Sequence, residues 1–394
     1  MTASTSSVNY RLLLPLMAHG VVTQIMAGLF RITTSYRVLE LGLPVEWIGV
    51  VATSFAIFPI FLAVQVGRYI DRNHDADALR IGSVLCVIAA IGLLYIAATP
   101  LVIMCFMVVA GVGHLFLMAS HQMLCVRAAG EKSRDSVFGN FLMVTGIGQG
   151  LGPFIVGWVG GDARVPDTWT LYMIALVSAV TIVAISLFIT PDRHAPQRNR
   201  NEAPMSLGTL LRINGFVTVL IASVITMSAQ DLIVVYLPLL GNERNIGVSD
   251  IGWMLTVRSI TAVISRIGYS QLVAVVGRVR LTFITMALSG VAFIIMALPV
   301  SISVLYVACA VLGLGLGLAS ALSLTSVVEL APPAARGTAL SLRITGNRIG
   351  QASIPSLGSL VVAAAGAAGV LGLIGLALIV SGISVQVVRG RKAS

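Results

Sequence analysis

Apolar residues in this chain fall in long blocks separated by short polar breaks. The blocks predict helices over residues 12–39, 46–66, 79–99, 101–126, 136–160, 169–190, 209–240, 249–269, 280–299, 302–329, 338–363 and 366–388. Each block is about 20 residues or longer, enough for a helix rising 1.5 Å per residue to cross about 30 Å of hydrocarbon. Strands of a membrane barrel would be about 10 residues long and alternate in polarity, which these do not. In lipid every backbone polar group must be satisfied internally, and a helix does this within its own segment. The predicted fold class is an all-α membrane protein of twelve transmembrane helices.

The longest polar stretch, Pro191 to Ser206, carries proline and charge with no apolar periodicity, so it reads as a linker. It divides the chain into an expected N-terminal six-helix bundle (1–190), a linker (191–206) and a C-terminal six-helix bundle (207–394). The halves share residues in register. At an offset of 202, Gly111 and Gly113 fall on Gly313 and Gly315, and Arg134 on Arg336. At the same offset Ile147, Gly148, Gln149 and Pro153 fall on Ile349, Gly350, Gln351 and Pro355, while at 203 Ile48-Gly49 falls on Ile251-Gly252. Internal repeats with a binding site at their interface are a recurring transporter design.

Composition agrees with the pattern: 57% of residues are hydrophobic, 10% are charged, and mean hydropathy is +0.98. The net charge of +10 does not indicate nucleic-acid binding, because the basic residues form no soluble face. They sort by side instead. With the N-terminus inside, and residues at span ends counted with the adjoining segment, 17 of the 25 Lys and Arg residues fall in cytoplasmic segments, three (Arg37, Arg164, Arg244) in outer loops and five (Arg31, Arg258, Arg266, Arg343, Arg348) within spans. That bias predicts a multi-pass protein of the inner (plasma) membrane with both termini cytoplasmic. Cys86, Cys105, Cys125 and Cys309 lie in apolar runs without metal-ligand spacing and read as small buried hydrophobes. No cofactor is implied, and without a nucleotide loop, a metal cluster or a soluble catalytic domain an enzyme is excluded.

The loop after the second span reads Gly67-Arg68-Tyr69-Ile70-Asp71-Arg72-Asn73-His74. With the twelve spans, central linker and repeated halves, it resembles the signature loop of the major facilitator superfamily, Gly-x-x-x-Asp-Arg-x-Gly. It departs at His74, where the family has Gly, and at Asp75, where a basic residue is usual. The corresponding stretch of the second half, Ser270 to Arg278, keeps only the closing Gly277-Arg278. The resemblance implies a gating role for Gly67, Arg68, Asp71 and Arg72, with Asp71 locking helices at the cytoplasmic face in one state of the cycle. The glycine-rich fifth span, Gly146 to Gly161 with Pro153, resembles that of the family's proton-coupled exporters, which implies export. A monomer is the family default.

Ionisable residues inside spans are costly and are functional candidates. Arg31 lies about 30 Å along the first span, in the outer part of the membrane. There it either lines a cavity or extends outward to the interface. Asp231, beside Gln230, either titrates and couples protons to transport or forms a permanent salt bridge with Arg258; both hold if the pair breaks during the cycle. Arg343, Asn347 and Gln351 are spaced i, i+4, i+8, one helical face that must meet a cavity or a partner helix. The repeat mate of this stripe keeps only Gln149, and Arg348 lies off it. His114 either handles protons or substrate or is a packing histidine. His121, seven residues on, is about 10 Å away along the helix, too far for a shared metal.

The substrate-binding set is therefore Arg31, His114, Gln149, Gln230, Arg258, Arg343, Asn347 and Gln351, with Asp231 and His114 for proton coupling. Five intramembrane arginines face one clear acid, a potential that attracts a small organic anion. The expected function is alternating-access secondary transport of an organic anion or drug-like compound, preferentially proton-coupled efflux. The alternatives are proton-symport import of a carboxylate and a receptor or sensor that binds without carrying. The expected partners are the small-molecule substrate, protons and the lipid bilayer.

Overall fold

The computed structural model describes residues 8–70, 72–129, 134–190, 207–267, 269–332 and 336–390. The linker lies outside them, as does Asp71. Among the described residues the chain is helical, with no strand. The helices are α1 (Tyr10–Glu40), α2 (Glu46–Ile70), α3 (Asp75–Tyr95), α4 (Pro100–Ala128), α5 (Arg134–Gly160), α6 (Thr168–Ser186), α7 (Leu207–Leu211), α8 (Phe216–Glu243), α9 (Val248–Ile264), α10 (Tyr269–Val276), α11 (Arg278–Ala297), α12 (Ile302–Leu330) and α13 (Arg336–Gly390). Ten of the helices are long and apolar enough to cross a membrane. Their starts follow local chemistry: the side chains of Asn9, Thr99 and Asp167 accept from Leu12 N, Val102 N and Trp169 N.

Two elements differ from the predicted spans. The block at 249–269 is helical as α9 only to Ile264 and resumes as the short α10. The last two blocks form α13, whose 55 residues would reach about 80 Å if straight. It is broken at Gly366, with φ 63° and ψ −171°. A side chain there would be strained by the positive φ and would press on the Glu243 carboxylate. That carboxylate instead accepts from Ala367 N at 3.0 Å, capping the second half of α13. Arg389 lies 3.5 Å from Glu329 at the end of α12. The chain thus returns to the face where α13 began, called the near face here; the opposite face is the far face.

Helices before residue 190 pack chiefly on one another, as do those after 207; the two sets meet where α5 touches α9, α2 touches α13 and α1 touches α8. This seam is tight toward the far face. Ser249 N donates to Gly161 O at 2.8 Å, Val248 N to Ala163 O at 2.9 Å, and Thr256 Oγ1 to Gly150 O at 3.2 Å. Thr53 and Ser356 hydroxyls meet at 2.6 Å across α2 and α13. Gly157 and Gly252 lie backbone to backbone, and a Cβ on Gly252 would sit 2.5 Å from Gly157 Cα. Toward the near face the apolar packing separates. Val66, Ile70, Ala78 and Leu115 form one cluster, and Leu210, Phe216, Val219 and Val327 belong to another. Each cluster stays within one half of the chain.

At the near ends each half carries an ion pair at equivalent positions. Asp75 at the start of α3 pairs with Arg127 at the end of α4, 2.6 Å apart and buried. Arg278 at the start of α11 pairs with Glu329 at the end of α12, also at 2.6 Å, but Glu329 is exposed. Arg278 lies 203 residues beyond Asp75 and Glu329 lies 202 beyond Arg127, so the repeat register is kept while the charges are reversed. Burial separates their contributions. Asp75→Asn is expected to cost about 3–5 kcal/mol, because it breaks a buried pair. Glu329→Gln is expected to cost about 1 kcal/mol or less. Thermal unfolding in detergent measures both, and equal losses would contradict the burial argument.

Candidate functional site

A cavity lies where α1, α2, α4, α8 and α13 converge. Its polar wall is Arg31, His114, Asp231, Arg348 and Gln351, and Phe55, Ala56 and Pro355 are among its apolar lining. On the far side of Arg31 lies a second, smaller space lined by Thr34, Ser35, Ile48 and Met107. Arg31, Ala52 and Val235 border both. Arg31 therefore stands between a central cavity and a vestibule toward the far face.

Asp231 pairs with Arg31 and not with Arg258, correcting the expected α8–α9 bridge. Arg31 Nη1 lies 2.6 Å from Asp231 Oδ1, and the side chains are 26% and 12% exposed. The contact joins α1 to α8 and so ties the two halves together across the cavity. Arg31 does not extend outward to the interface; the acid draws it inward. Such a pair lowers the cost of holding both charges inside the protein, whereas either charge alone would be expensive there.

Arg258 is buried behind the wall. Its Nη2 reaches Ser259 Oγ at 3.5 Å, and its Nε has no hydrogen-bond partner among the described residues. Its backbone carbonyl faces Gly313 on α12, where any Cβ would clash. The polar stripe of α13 divides. Arg343 donates to Ser323 Oγ at 3.1 Å and Ser320 O at 3.4 Å, and Asn347 accepts from Ser223 Oγ at 3.0 Å. Both are thus held by α12 and α8 of their own half, while Gln351 reaches the cavity. Gln230 also turns to α12, donating to Ser320 Oγ at 2.5 Å. Gln149 has an exposed side chain, and its backbone carbonyl accepts from Ser259 Oγ at 3.4 Å.

Arg348, which lies off the predicted stripe, lines the cavity and donates to Gln351 Oε1 at 3.2 Å. The i, i+3 spacing of Arg348 and Gln351 was the available signal, and the longer stripe with Arg343 masked it. His114 faces the cavity with its ring 5.4 Å from Phe55, and its Nε2 has no hydrogen-bond partner among the described residues. His121 turns away into the first half, 2.9 Å from His19, whose other nitrogen meets Ser83 Oγ at 3.2 Å. That contact is absent from sequence periodicity because it joins helices a hundred residues apart. Cys105 is exposed on its helix, whereas the other three cysteines are buried as expected.

In the signature loop, Arg68 and Arg72 are exposed, and Gly67 has open space where a Cβ would stand. The proposed lock at Asp71 lies outside the described residues. The buried acid here is Asp75, and Arg127 also donates to Asn73 Oδ1 at 2.8 Å. His74 stacks on Tyr69 with ring centroids 4.8 Å apart. Among the described residues no group of three or more His, Cys, Asp or Glu could hold a metal.

No curated relative matches the chain by sequence. Solved structures match it by shape. The nucleoside transporter NupG superposes with a TM-score of 0.75 at 15% identity, covering 96% of this chain and 99% of that one. A peptide transporter of the POT type gives 0.74 at 17% identity, covering 96% and 94%. A POT family transporter in complex with 5-aminolevulinic acid gives 0.75 at 15%, covering 95% of each chain. At these identities the likeness concerns the fold. Family membership comes from sequence: the family model for the Major Facilitator Superfamily matches residues 16–247 and 219–393, and the chain, a membrane transporter and not an enzyme, belongs to that superfamily.

Proposed function

We propose that the chain carries a small organic anion across the bilayer together with a proton, by alternating access. Twelve spans form two six-helix bundles, 1–190 and 207–394, joined by a cytoplasmic linker at 191–206. The arginine bias supports cytoplasmic termini, so the sealed far face is the outer one. The protein acts as a monomer, with protons and the bilayer as its partners.

The observation that carries this reading is the Arg31–Asp231 pair bridging the halves at the cavity wall. Protonating Asp231 removes its negative charge and leaves Arg31 uncompensated, so the cavity gains affinity for an anion. By linkage, a bound anion favours the proton equally. Positive coupling of proton and anion is the sign that symport requires. The structural relative solved with 5-aminolevulinic acid, an amino acid bearing a carboxylate, is compatible with a carboxylate cargo. Efflux by proton antiport, the direction suggested by the fifth span, needs proton and substrate to compete. A cation displacing the proton from Asp231 would meet that need.

Reconstituted vesicles test the choice. Labelled organic anion should exchange by counterflow, and an imposed pH gradient, alkaline inside, should drive its accumulation. Exchange of lipophilic cations alone would replace symport with antiport. Binding without any exchange would make the protein a receptor.

A further inference from the structure

The central cavity carries a cation that its own wall does not neutralise. Arg31 is matched by Asp231. Arg348 faces the same space, and its recorded partner is the neutral Gln351. Among the described residues no carboxylate lies within 4.0 Å of Arg348. Arg258, buried behind the wall, adds charge of the same sign. A second polar group also awaits a partner: His114 Nε2 is buried, unbonded and on the cavity-lining side chain. Beside it the surface is apolar, with Phe55, Ala56, Val235 and Pro355.

We infer that Arg348 is the anchor of this site and that the cargo is an amphipathic monocarboxylate. Its carboxylate would pair with Arg348, a hydrogen-bonding group would meet His114, and an apolar body would lie against Phe55 and Val235. The inference rests on the transport reading for its purpose but on the cavity alone for its chemistry. A guanidinium presents five N–H donors in a planar fork matched to a carboxylate. Gln351 occupies one of them, through Nη1. A second carboxylate on the ligand would have only Arg31 left, beside Asp231, and would meet like-charge repulsion while that pair is intact. A neutral amide would leave Arg348 without a counter-charge.

Matched ligands test this on the purified full chain in detergent at pH 8. Benzoate, benzamide and terephthalate form one set; hexanoate, hexanamide and adipate form another. Thermal stabilisation by at least one monocarboxylate is expected, with its amide and its diacid about ten-fold or more weaker. Arg348→Gln should bring the acid down to the level of its amide, while Arg348→Lys should keep a weakened preference for the acid. The ligand sets in the unmodified protein decide the matter even where a variant fails to fold. Equal binding of acid and amide, tighter binding of the diacid, no stabilisation by either monocarboxylate, or an unchanged preference in Arg348→Gln would overturn the assignment. Counterflow separates this failure from that of the transport reading. Monocarboxylate binding without exchange removes transport and keeps the anchor. Exchange of a neutral or cationic solute that ignores Arg348→Gln keeps transport and removes the anchor.

Discussion

Vesicles containing the Asp231→Asn protein are expected to exchange labelled anion by counterflow yet fail to accumulate it when a pH gradient is imposed. Asparagine keeps the shape of the side chain and still accepts a hydrogen bond from Arg31. It cannot gain or lose a proton, so the anion moves without one and a pH gradient has nothing to act on. For an electroneutral one-to-one symporter each pH unit is worth about 1.4 kcal/mol, or about ten-fold accumulation. The variant should show none, while counterflow stays within several-fold of the unmodified rate. Anion affinity should rise, because Arg31 loses the acid beside it at 2.6 Å. Gradient-driven accumulation that survives in Asp231→Asn would move coupling elsewhere, with His114 the next titratable group on the cavity wall.

The second large effect concerns the seam between α5 and α9. Gly252→Val should abolish transport without preventing folding. A Cβ at that position would lie 2.5 Å from Gly157 Cα and 2.6 Å from both Gly157 N and Pro153 O. These are backbone atoms, which cannot swing away as a side-chain tip can. Overpacking costs about 1–3 kcal/mol or more, and here the cost falls on the far-closed state alone. At about 3 kcal/mol the population of that state drops more than a hundred-fold, and the cycle stalls with the far face open. The vestibule should then admit reagents: a cysteine placed at Ser35 should react with a membrane-impermeant maleimide in Gly252→Val and resist it otherwise. Gly139→Ala is the matched control, since nothing lies within 4 Å of its Cβ position. Unimpaired transport by Gly252→Val would mean that the seam does not have to close as tightly as it does here.

Much of the architecture was legible in the sequence because it follows from segment length and polarity. The helices and the repeat follow from runs and spacing. What escaped were relations set by pairing. Asp231 lay near both Arg258 and Arg31 in height, and height along a helix does not say which way a side chain turns. The structure resolves this through the α1–α8 contact, which no periodicity records. Arg348 is hidden because spacing alone does not divide a polar stripe between partners. Arg343 and Asn347 are instead spent on hydroxyls of their own half, leaving the cavity to Arg348 and Gln351. The repeat also reaches further than identity reveals. Glu40 bonds Thr168 at the start of α6, and Glu243, 203 residues on, bonds Ala367 beyond the Gly366 break.

The reversed ion pairs at the near ends carry a different kind of information. Duplication of an ancestral half would have given both copies the same acid and the same base. One copy now reads Asp75–Arg127 and the other Arg278–Glu329. Divergence has in effect run half of a double-mutant cycle, exchanging both partners while keeping the contact. A group chosen for the sign of its field, or for trading a proton, would not survive that exchange. A clasp between neighbouring helix ends would, because attraction is symmetric in the two charges. Asp75 is therefore better regarded as one side of a fastener than as a sensor, joining the near ends of α3 and α4 as Arg278 and Glu329 join those of α11 and α12.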